Sequence, residues 1–261
     1  MKEFKDCVAV ITGAASGIGR GIAERCAQEG MKIVLADINE ADLIRVEAEL
    51  KATGAAVISV QTDVAKRSDV EALAQRTLDA FGGVHLLVNN AGVGAGSSVW
   101  DSTWNDWEWV IGVNLWGVIH GVKVFTPIML AQHEACRIVN TSSKAGLIAY
   151  QPSAPYHVTK HAVVALSENL HRSLAEQKAR VKVSVLCPGW VKTQIMSSAR
   201  NRLPTFVLSI PQWRLGEWSG PTASGMIEYH STRAVVQAAR VCFLSPAASG
   251  PYERESSLSV R

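Results

Sequence analysis

The sequence lacks the marks of several large protein classes. Its five cysteines, Cys7, Cys26, Cys136, Cys187 and Cys242, are odd in number and scattered, and none forms a Cys-x-x-Cys pair. That argues against both a disulfide framework and a zinc site, so no metal is expected. The thiols read as small hydrophobes in a reducing cytoplasm. Basic blocks are also missing: 26 Lys plus Arg stand against 23 Asp plus Glu, a net charge of +3. A nucleic-acid-binding arm would need a basic cluster, so no nucleic acid is expected as partner. No stretch approaches 18 uncharged apolar residues, which argues against a membrane span. The charged opening Met1-Lys2-Glu3-Phe4-Lys5-Asp6 runs straight into a strand-like segment and reads as no secretory leader. Internal repeats and low-complexity linkers are absent too.

What is present is ordinary for a folded enzyme: 261 residues, 48% hydrophobic and 19% charged. That length suits one large α/β domain spanning 1–261. Apolar runs alternate with amphipathic stretches along the chain. Val8-Ala9-Val10-Ile11, Lys32-Ile33-Val34-Leu35-Ala36-Asp37, Val57-Ile58-Ser59-Val60 and Val84-His85-Leu86-Leu87-Val88 read as the first four strands. Arg137-Ile138-Val139-Asn140-Thr141 and Val181-Lys182-Val183-Ser184-Val185-Leu186 read as the fifth and sixth. Helical patterns cover residues 17–29, 40–52 (capped by Asn39), 67–81, 104–131 and 154–178. Near-continuous apolar strands alternating with helices predict a doubly wound parallel sheet of six to seven strands, a single Rossmann-type domain with helices on both faces.

The last third is less regular. Residues 194–225 hold prolines, serines, Trp213 and Trp218 without clean periodicity, and read as a substrate-covering region or a plain surface insertion. Val241-Cys242-Phe243-Leu244 is a candidate last strand, and residues 245–261 read as a loosely ordered tail.

Two groups of residues carry chemistry. The first strand runs into Thr12-Gly13-Ala14-Ala15-Ser16-Gly17-Ile18-Gly19, a GxxxGxG set between strand and helix. Gly13 turns the chain sharply off the strand, while Gly17 and Gly19 allow close approach of a pyrophosphate and tight helix packing. The helix N-terminus then offers free N–H groups to phosphates. Asp37 ends the second strand 18 residues past Gly19, placed to accept hydrogen bonds from the adenine-ribose hydroxyls. A carboxylate there repels a 2′-phosphate, and neither Ala15 nor Ile38 supplies a compensating positive charge, so NAD is favoured over NADP. The second group is Tyr156 and Lys160, spaced i, i+4 so that both leave one helix face, with Ser143 lying 13 residues before the tyrosine.

Thr12-Gly13-x-x-x-Gly17-x-Gly19, Asn89-Asn90-Ala91-Gly92, Asn114, Ser143, Tyr156-x-x-x-Lys160 and Pro188-Gly189 occur in one order. From about residue 4 to 195 the chain resembles the short-chain dehydrogenase/reductase family, in its single-domain branch. The resemblance implies cofactor contacts by Gly13, Ser16, Gly17, Ile18, Gly19, Asp37 and Ile38. It adds Asp63 and Val64 at adenine, Asn90, Ala91 and Gly92 on the adenosine side, and Pro188, Gly189, Val191 and Thr193 at the nicotinamide. Tyr156 and Lys160 touch the cofactor as well. Asn114 is implied to kink its helix and hold a water behind Lys160, and Ser143 to hydrogen-bond the substrate oxygen. Ser142 is its neighbouring rival, assigned to support the strand end. Beyond Gln194 the resemblance fails.

Proton chemistry supports three of these residues, Tyr156, Lys160 and Ser143, without the resemblance. A free tyrosine titrates near 10, so a tyrosine base at neutral pH needs its pKa lowered by roughly 3, about 4 kcal/mol. A lysine ammonium one turn away favours the phenolate, as does a positive nicotinamide ring. Ser143 supplies a donor that stabilises charge on the substrate oxygen. His85, His157 and His161 read as structural, since the two in the helix point to other faces.

Substrate lining is expected from Val93, Gly94, Lys144, Tyr150, Trp190, Ile195 and Met196, a mostly apolar set that suggests a hydrophobic or aromatic alcohol/ketone. Trp100, Trp104, Trp107, Trp109 and Trp116 read as core or subunit contacts. The expected activity is an NAD(H)-dependent secondary-alcohol dehydrogenase or ketoreductase in a cytoplasmic homodimer or homotetramer. Two alternatives stay open: an epimerase or dehydratase of the same family, and a non-catalytic NAD-sensing or scaffold protein.

Overall fold

Runs of β-branched and apolar residues too short for helices form six strands. The computed structural model describes residues 4–149 and 153–202. Tyr150, the possible strand at 241–244, the tail from 245 and all of 194–225 past Arg202 lie outside the described residues. The strands are β1 (Val8–Thr12), β2 (Lys32–Asp37), β3 (Val57–Gln61), β4 (Leu86–Asn89), β5 (Cys136–Thr141) and β6 (Val181–Leu186). All pair in parallel, in the order β3-β2-β1-β4-β5-β6. Parallel neighbours need crossovers, and the helices supply them: α1 (Gly17–Gln28), α2 (Glu40–Ala52), α3 (Arg67–Phe81), α4 (Trp104–Ile111), α5 (Gly117–Ala131) and α6 (Ala154–Glu176).

Side-chain alternation places one core on each face of the sheet. Val10, Leu87, Phe125, Met129, Ile138 and Val163 form one. Ile11, Ile33, Leu35, Leu43 and Val88 form the other, under α1 and α2. All five residues of β1 are buried, as a central strand covered on both sides requires. Helix ends follow local chemistry. The Asn39 side chain accepts from Asp42 N at 3.1 Å, and Gly82 ends α3 in the left-handed region at φ 77°. Thr103 and Asp106 form a reciprocal capping box on α4.

Two expectations change here. Residues 104–131 are not one α-helix, because a π-helical turn, Gly112–Trp116, separates α4 from α5. The stretch is also more apolar than expected. An 18-residue window within Trp104–Ala131 reaches mean hydropathy 1.3, enough by length and composition to cross a bilayer. Part of that apolarity packs into the sheet core through Val118, Val122, Phe125 and Met129, all buried, while 39% of the window is buried in all.

The tryptophans divide. Trp109 is buried, whereas Trp100, Trp104 and Trp116 are 79%, 84% and 50% exposed, which removes them from the core of the single chain. The histidines hold structure. His157 is buried with Nδ1 3.1 Å from Ala145 O, His85 bridges Val8 N and Glu134, and His161 Nδ1 lies 2.9 Å from His157 O. Burial pushes the Cys26 thiol up to about 12 and Cys136 up to about 11, so neither is a nucleophile at neutral pH.

Candidate active site

Chain order reverses direction across the sheet between β1 and β4, and the C-terminal ends of these strands splay into a cleft of ≈310 Å³. Such a switch point is where open α/β sheets bind ligands. The glycine loop and Asp37 meet Tyr156 and Lys160 across this cleft, and of the two serines Ser142 lines it whereas Ser143 does not.

Thr12 ties its two sides together. Its hydroxyl accepts the Asn90 and Ala91 N–H groups at 2.9 and 3.0 Å and donates to Val88 O at 3.3 Å. Asn90 Nδ2 returns a bond to Thr12 O at 3.0 Å. Sequence reasoning gave Thr12 no role, because a strand-ending threonine looks like any β-former. After Thr12 the chain turns at Gly13, φ 66°, where a Cβ would lie 2.9 Å from Ala91 Cα. Gly19 is needed for a different reason: a Cβ there would lie 2.1 Å from Gly13 O. No side chain caps α1 at Ser16, and its first turn opens into the cleft through Ser16, Gly17 and Ile18.

Asp37 lines the same end of the cleft, but its carboxylate already has work within the fold. Oδ2 accepts from Ala15 N and Oδ1 from Asn39 N, both at 3.0 Å. A carboxylate oxygen accepts two hydrogen bonds, so each keeps a lone pair for a ribose hydroxyl. The glycine loop is thereby anchored by the residue expected to select the nucleotide. Ile38, Asp63, Val64, Ala91, Gly92, Pro188 and Thr193 also line the cleft, as their implied contacts require. These features fit a dinucleotide: an uncapped helix N-terminus for its phosphates, a glycine cradle that a Cβ would fill, and a carboxylate beyond them. Gly189 and Val191 do not line the cleft, and a Cβ on Gly189 would meet nothing within 4 Å.

At the other end stands the pair on α6. Lys160 Nζ lies 5.4 Å from the centre of the Tyr156 ring, so the i, i+4 spacing does bring them together. Lys160 is 3% exposed and its Nζ donates to Thr141 O at 3.0 Å. Burial lowers its pKa from 10.5 to about 8, slightly opposed by Cys187. The unfolded chain therefore holds this proton more tightly, and below pH 8 the cost to the fold is complete. Stability should rise by about 3 kcal/mol as the pH climbs from 8 towards 10.5. Urea unfolding of Lys160→Met across that range should lack this increment. Equal pH profiles for variant and wild type would show that the folded Lys160 ammonium is better solvated and its pKa unshifted.

Asn114 sits fully buried in the π-turn. Its Oδ1 accepts from Val93 N at 2.8 Å and its Nδ2 donates to Val93 O at 2.9 Å. The direct work of this side chain is thus to hold the loop after β4, where a Cβ on Gly92 would lie 3.4 Å from Asn114 Oδ1 and 3.5 Å from Lys160 Nζ. A π-turn lets the residue face the sheet end without ending the helix.

The two serines also separate. Ser142 is buried and donates to Lys160 O at 2.7 Å, so its hydroxyl holds α6 rather than the strand end. Ser143 is half-buried and caps a short turn by accepting from Ala145 N at 3.1 Å. Its hydroxyl hydrogen takes no part in that bond. Among the residues expected to line a substrate, Val93 and Ile195 do so. Gly94 does not line the cleft; a Cβ there would lie 3.5 Å from Ile195 O. Trp190 and Met196 do not line the cleft; they are 58% and 84% exposed because the chain after Pro188 turns their side chains outward. Lys144 is exposed as well, its N–H bound to Pro188 O. Ser198 and Gln194 were missed as lining residues, since they fall where the sequence loses its periodicity.

Comparison with known proteins agrees with this geometry. The family described as short chain dehydrogenase matches residues 7–204. A short chain dehydrogenase/reductase from Burkholderia phymatum, crystallised in complex with NAD, is 48% identical with a TM-score of 0.78, over 92% of this chain and 82% of that one. A CLA biosynthesis dehydrogenase/reductase of Lactiplantibacillus plantarum is 36% identical over 202 residues, 77% of this chain and 71% of the relative. An (S)-acetoin-forming diacetyl reductase of Staphylococcus epidermidis is 35% identical over 72% of each chain.

Proposed function

This chain belongs to the short chain dehydrogenase family, and from that premise we propose an NAD(H)-dependent oxidoreductase that interconverts a secondary alcohol and a ketone, with Tyr156 as the proton-transfer residue. The observation that carries the proposal is one continuous cleft, bounded by the glycine loop and Asp37 at one end and by Tyr156 and Lys160 at the other. NAD, when bound, supplies the hydride acceptor and its reduced form the donor. The protein contributes position and proton chemistry. Tyr156 takes the hydroxyl proton of an alcohol, or returns it to the oxygen of a ketone. Lys160, held on Thr141 O, presents an ammonium beside the ring and favours the phenolate. Ser143 keeps its hydroxyl hydrogen for the substrate oxygen, and Asn114 fixes the loop against which Lys160 rests.

Val93, Trp109, Val113 and Ile195 give the cleft apolar walls, which favours a hydrophobic or aromatic substrate over a sugar phosphate. We also propose a cytoplasmic homodimer or homotetramer, in which exposed Trp100, Trp104 and Trp116 are covered by a second chain. A monomeric mass in light scattering would refute the assembly.

The test is titration with NADH and NADPH followed by absorbance at 340 nm against aliphatic, aryl and steroid alcohols. Tighter binding of NADH and turnover of an apolar alcohol are the expected results. Asp37→Ala should abolish the preference for NADH and weaken binding by about tenfold, since two charge-assisted bonds to ribose disappear. An unchanged preference would remove Asp37 from the site. Tight NADH binding with no turnover of any alcohol would favour a sensor.

A further inference from the structure

The segment from Thr193 to Arg202 runs along the open side of the cleft and touches three separate elements around it. Beside the glycine loop, a Cβ on Gly17 would lie 3.3 Å from both Thr193 Cβ and Cγ2. Over the β4 loop, Ser198 is 3% exposed, accepts the Gly94 N–H at 3.2 Å and donates to Ile195 O. At the far end, Arg202 Nη1 donates to Asp106 Oδ1 at 2.7 Å, and the guanidinium carbon stands 5.1 Å from the centre of the Trp109 ring. Thr193, Gln194, Ile195 and Ser198 line the cleft from this segment. A molecule lying along the cleft therefore has this strap on one side.

The fastening at Arg202 is unlike a surface ion pair. Its side chains are 7% and 16% exposed, so water screens the charges poorly and loss of one partner strands the other. Asp106 is also fixed beforehand, because its second oxygen accepts from Thr103 N and Oγ1 at 3.1 and 2.8 Å in the α4 capping box. Arg202 Nε, by contrast, is buried with no acceptor among the described residues. An unpaired buried donor penalises the fastened form, which keeps the fastening reversible.

We propose that Arg202, through Asp106 and the Trp109 ring, is the latch that holds the 193–202 strap beside the cleft and sets the rate at which NAD(H) leaves. Arg202 is a positioning residue and touches neither substrate nor cofactor. The proposal rests on the reading of the cleft as an NAD(H) site.

Two measurements on the full chain test it: NADH dissociation by stopped-flow displacement, and amide hydrogen exchange in the cofactor-free protein. Arg202→Met should release NADH about tenfold faster, the consequence of losing one modest fastening interaction. It should also speed exchange at residues 194–201 while leaving β1 and β4 protected. Arg202→Lys should fall between the two, since it keeps the charge without the planar fork. Adding Asp106→Asn to Arg202→Met should change the release rate no further. If Arg202→Met does not fold, Arg202→Lys and Asp106→Asn carry the same test. Wild type that binds NADH, with release and exchange unchanged in the variants, overturns the latch alone. Wild type that binds no NADH overturns the reading of the cleft and with it the release role.

Discussion

Tyr156→Phe is expected to lower kcat by about 10²–10⁴-fold, the range for loss of a positioned acid or base, while NADH affinity stays nearly unchanged. The substitution removes one oxygen and nothing else. Lys160 keeps its bond to Thr141 O, and the phenyl ring can still lie beside its Nζ. The rest of α6 keeps its packing through Val163 and Ser167, both buried. The glycine loop and Asp37 are untouched, so the nucleotide end of the cleft should bind as before. If the oxygen acts only while the proton moves, kcat and kcat/KM should fall together. A variant with most of its activity would sink the proton-transfer assignment. Equal losses of turnover and NADH affinity would make Tyr156 part of the cofactor cradle instead.

Gly19→Ala should cost about 1–3 kcal/mol of stability, on the order of 5–10 °C in Tm, and weaken NADH binding at least about tenfold. The added methyl would lie 2.1 Å from Gly13 O and 2.6 Å from Asn90 Nδ2. Gly13 O belongs to backbone that continues directly from β1, so it cannot step aside as a flexible side chain would. Relief requires α1 to move away from the strand end, and that displaces the N–H groups of its first turn. Gly189→Ala is the control: apart from its chain neighbours, no atom of the described residues lies within 4 Å of its added methyl, so Tm should not change. A Gly19→Ala protein as stable as wild type would show that α1 and the loop do not approach so closely.

Strand and helix positions were legible because their signals are local. The run 8–12 is apolar at every position, and β1 is buried throughout. The helix expected at 67–81 forms over the same residues, ended by Gly82. The Tyr156 and Lys160 pairing was equally readable, because i, i+4 spacing puts two side chains on one helix face wherever the helix sits. Asp37 was legible by position, yet its bonds to Ala15 and Asn39 were not, since they depend on how the glycine loop folds back over β2. A kink at Asn114 was implied by the family resemblance, but its π-helical form was not, because 104–131 reads as continuous apolar helix. The turn exists to bring Asn114 onto Val93, 21 residues away. Trp100 and Trp104 read as core or subunit contacts, and their exposure leaves only the second of these.

By itself, then, the sequence determined the α/β alternation, the glycine turn, the acid at the end of β2 and the dyad on α6. Each follows from short-range sterics, hydrophobic period or spacing within a few residues. Only the tertiary structure decided which groups pair around the cleft: Thr12 with Asn90, Asn114 with Val93, Ser142 with Lys160, and Arg202 with Asp106. Those partners lie 18 to 96 residues apart. Nothing local distinguishes such a side chain from any other polar residue. Its role arises when packing removes water and leaves a single partner within reach.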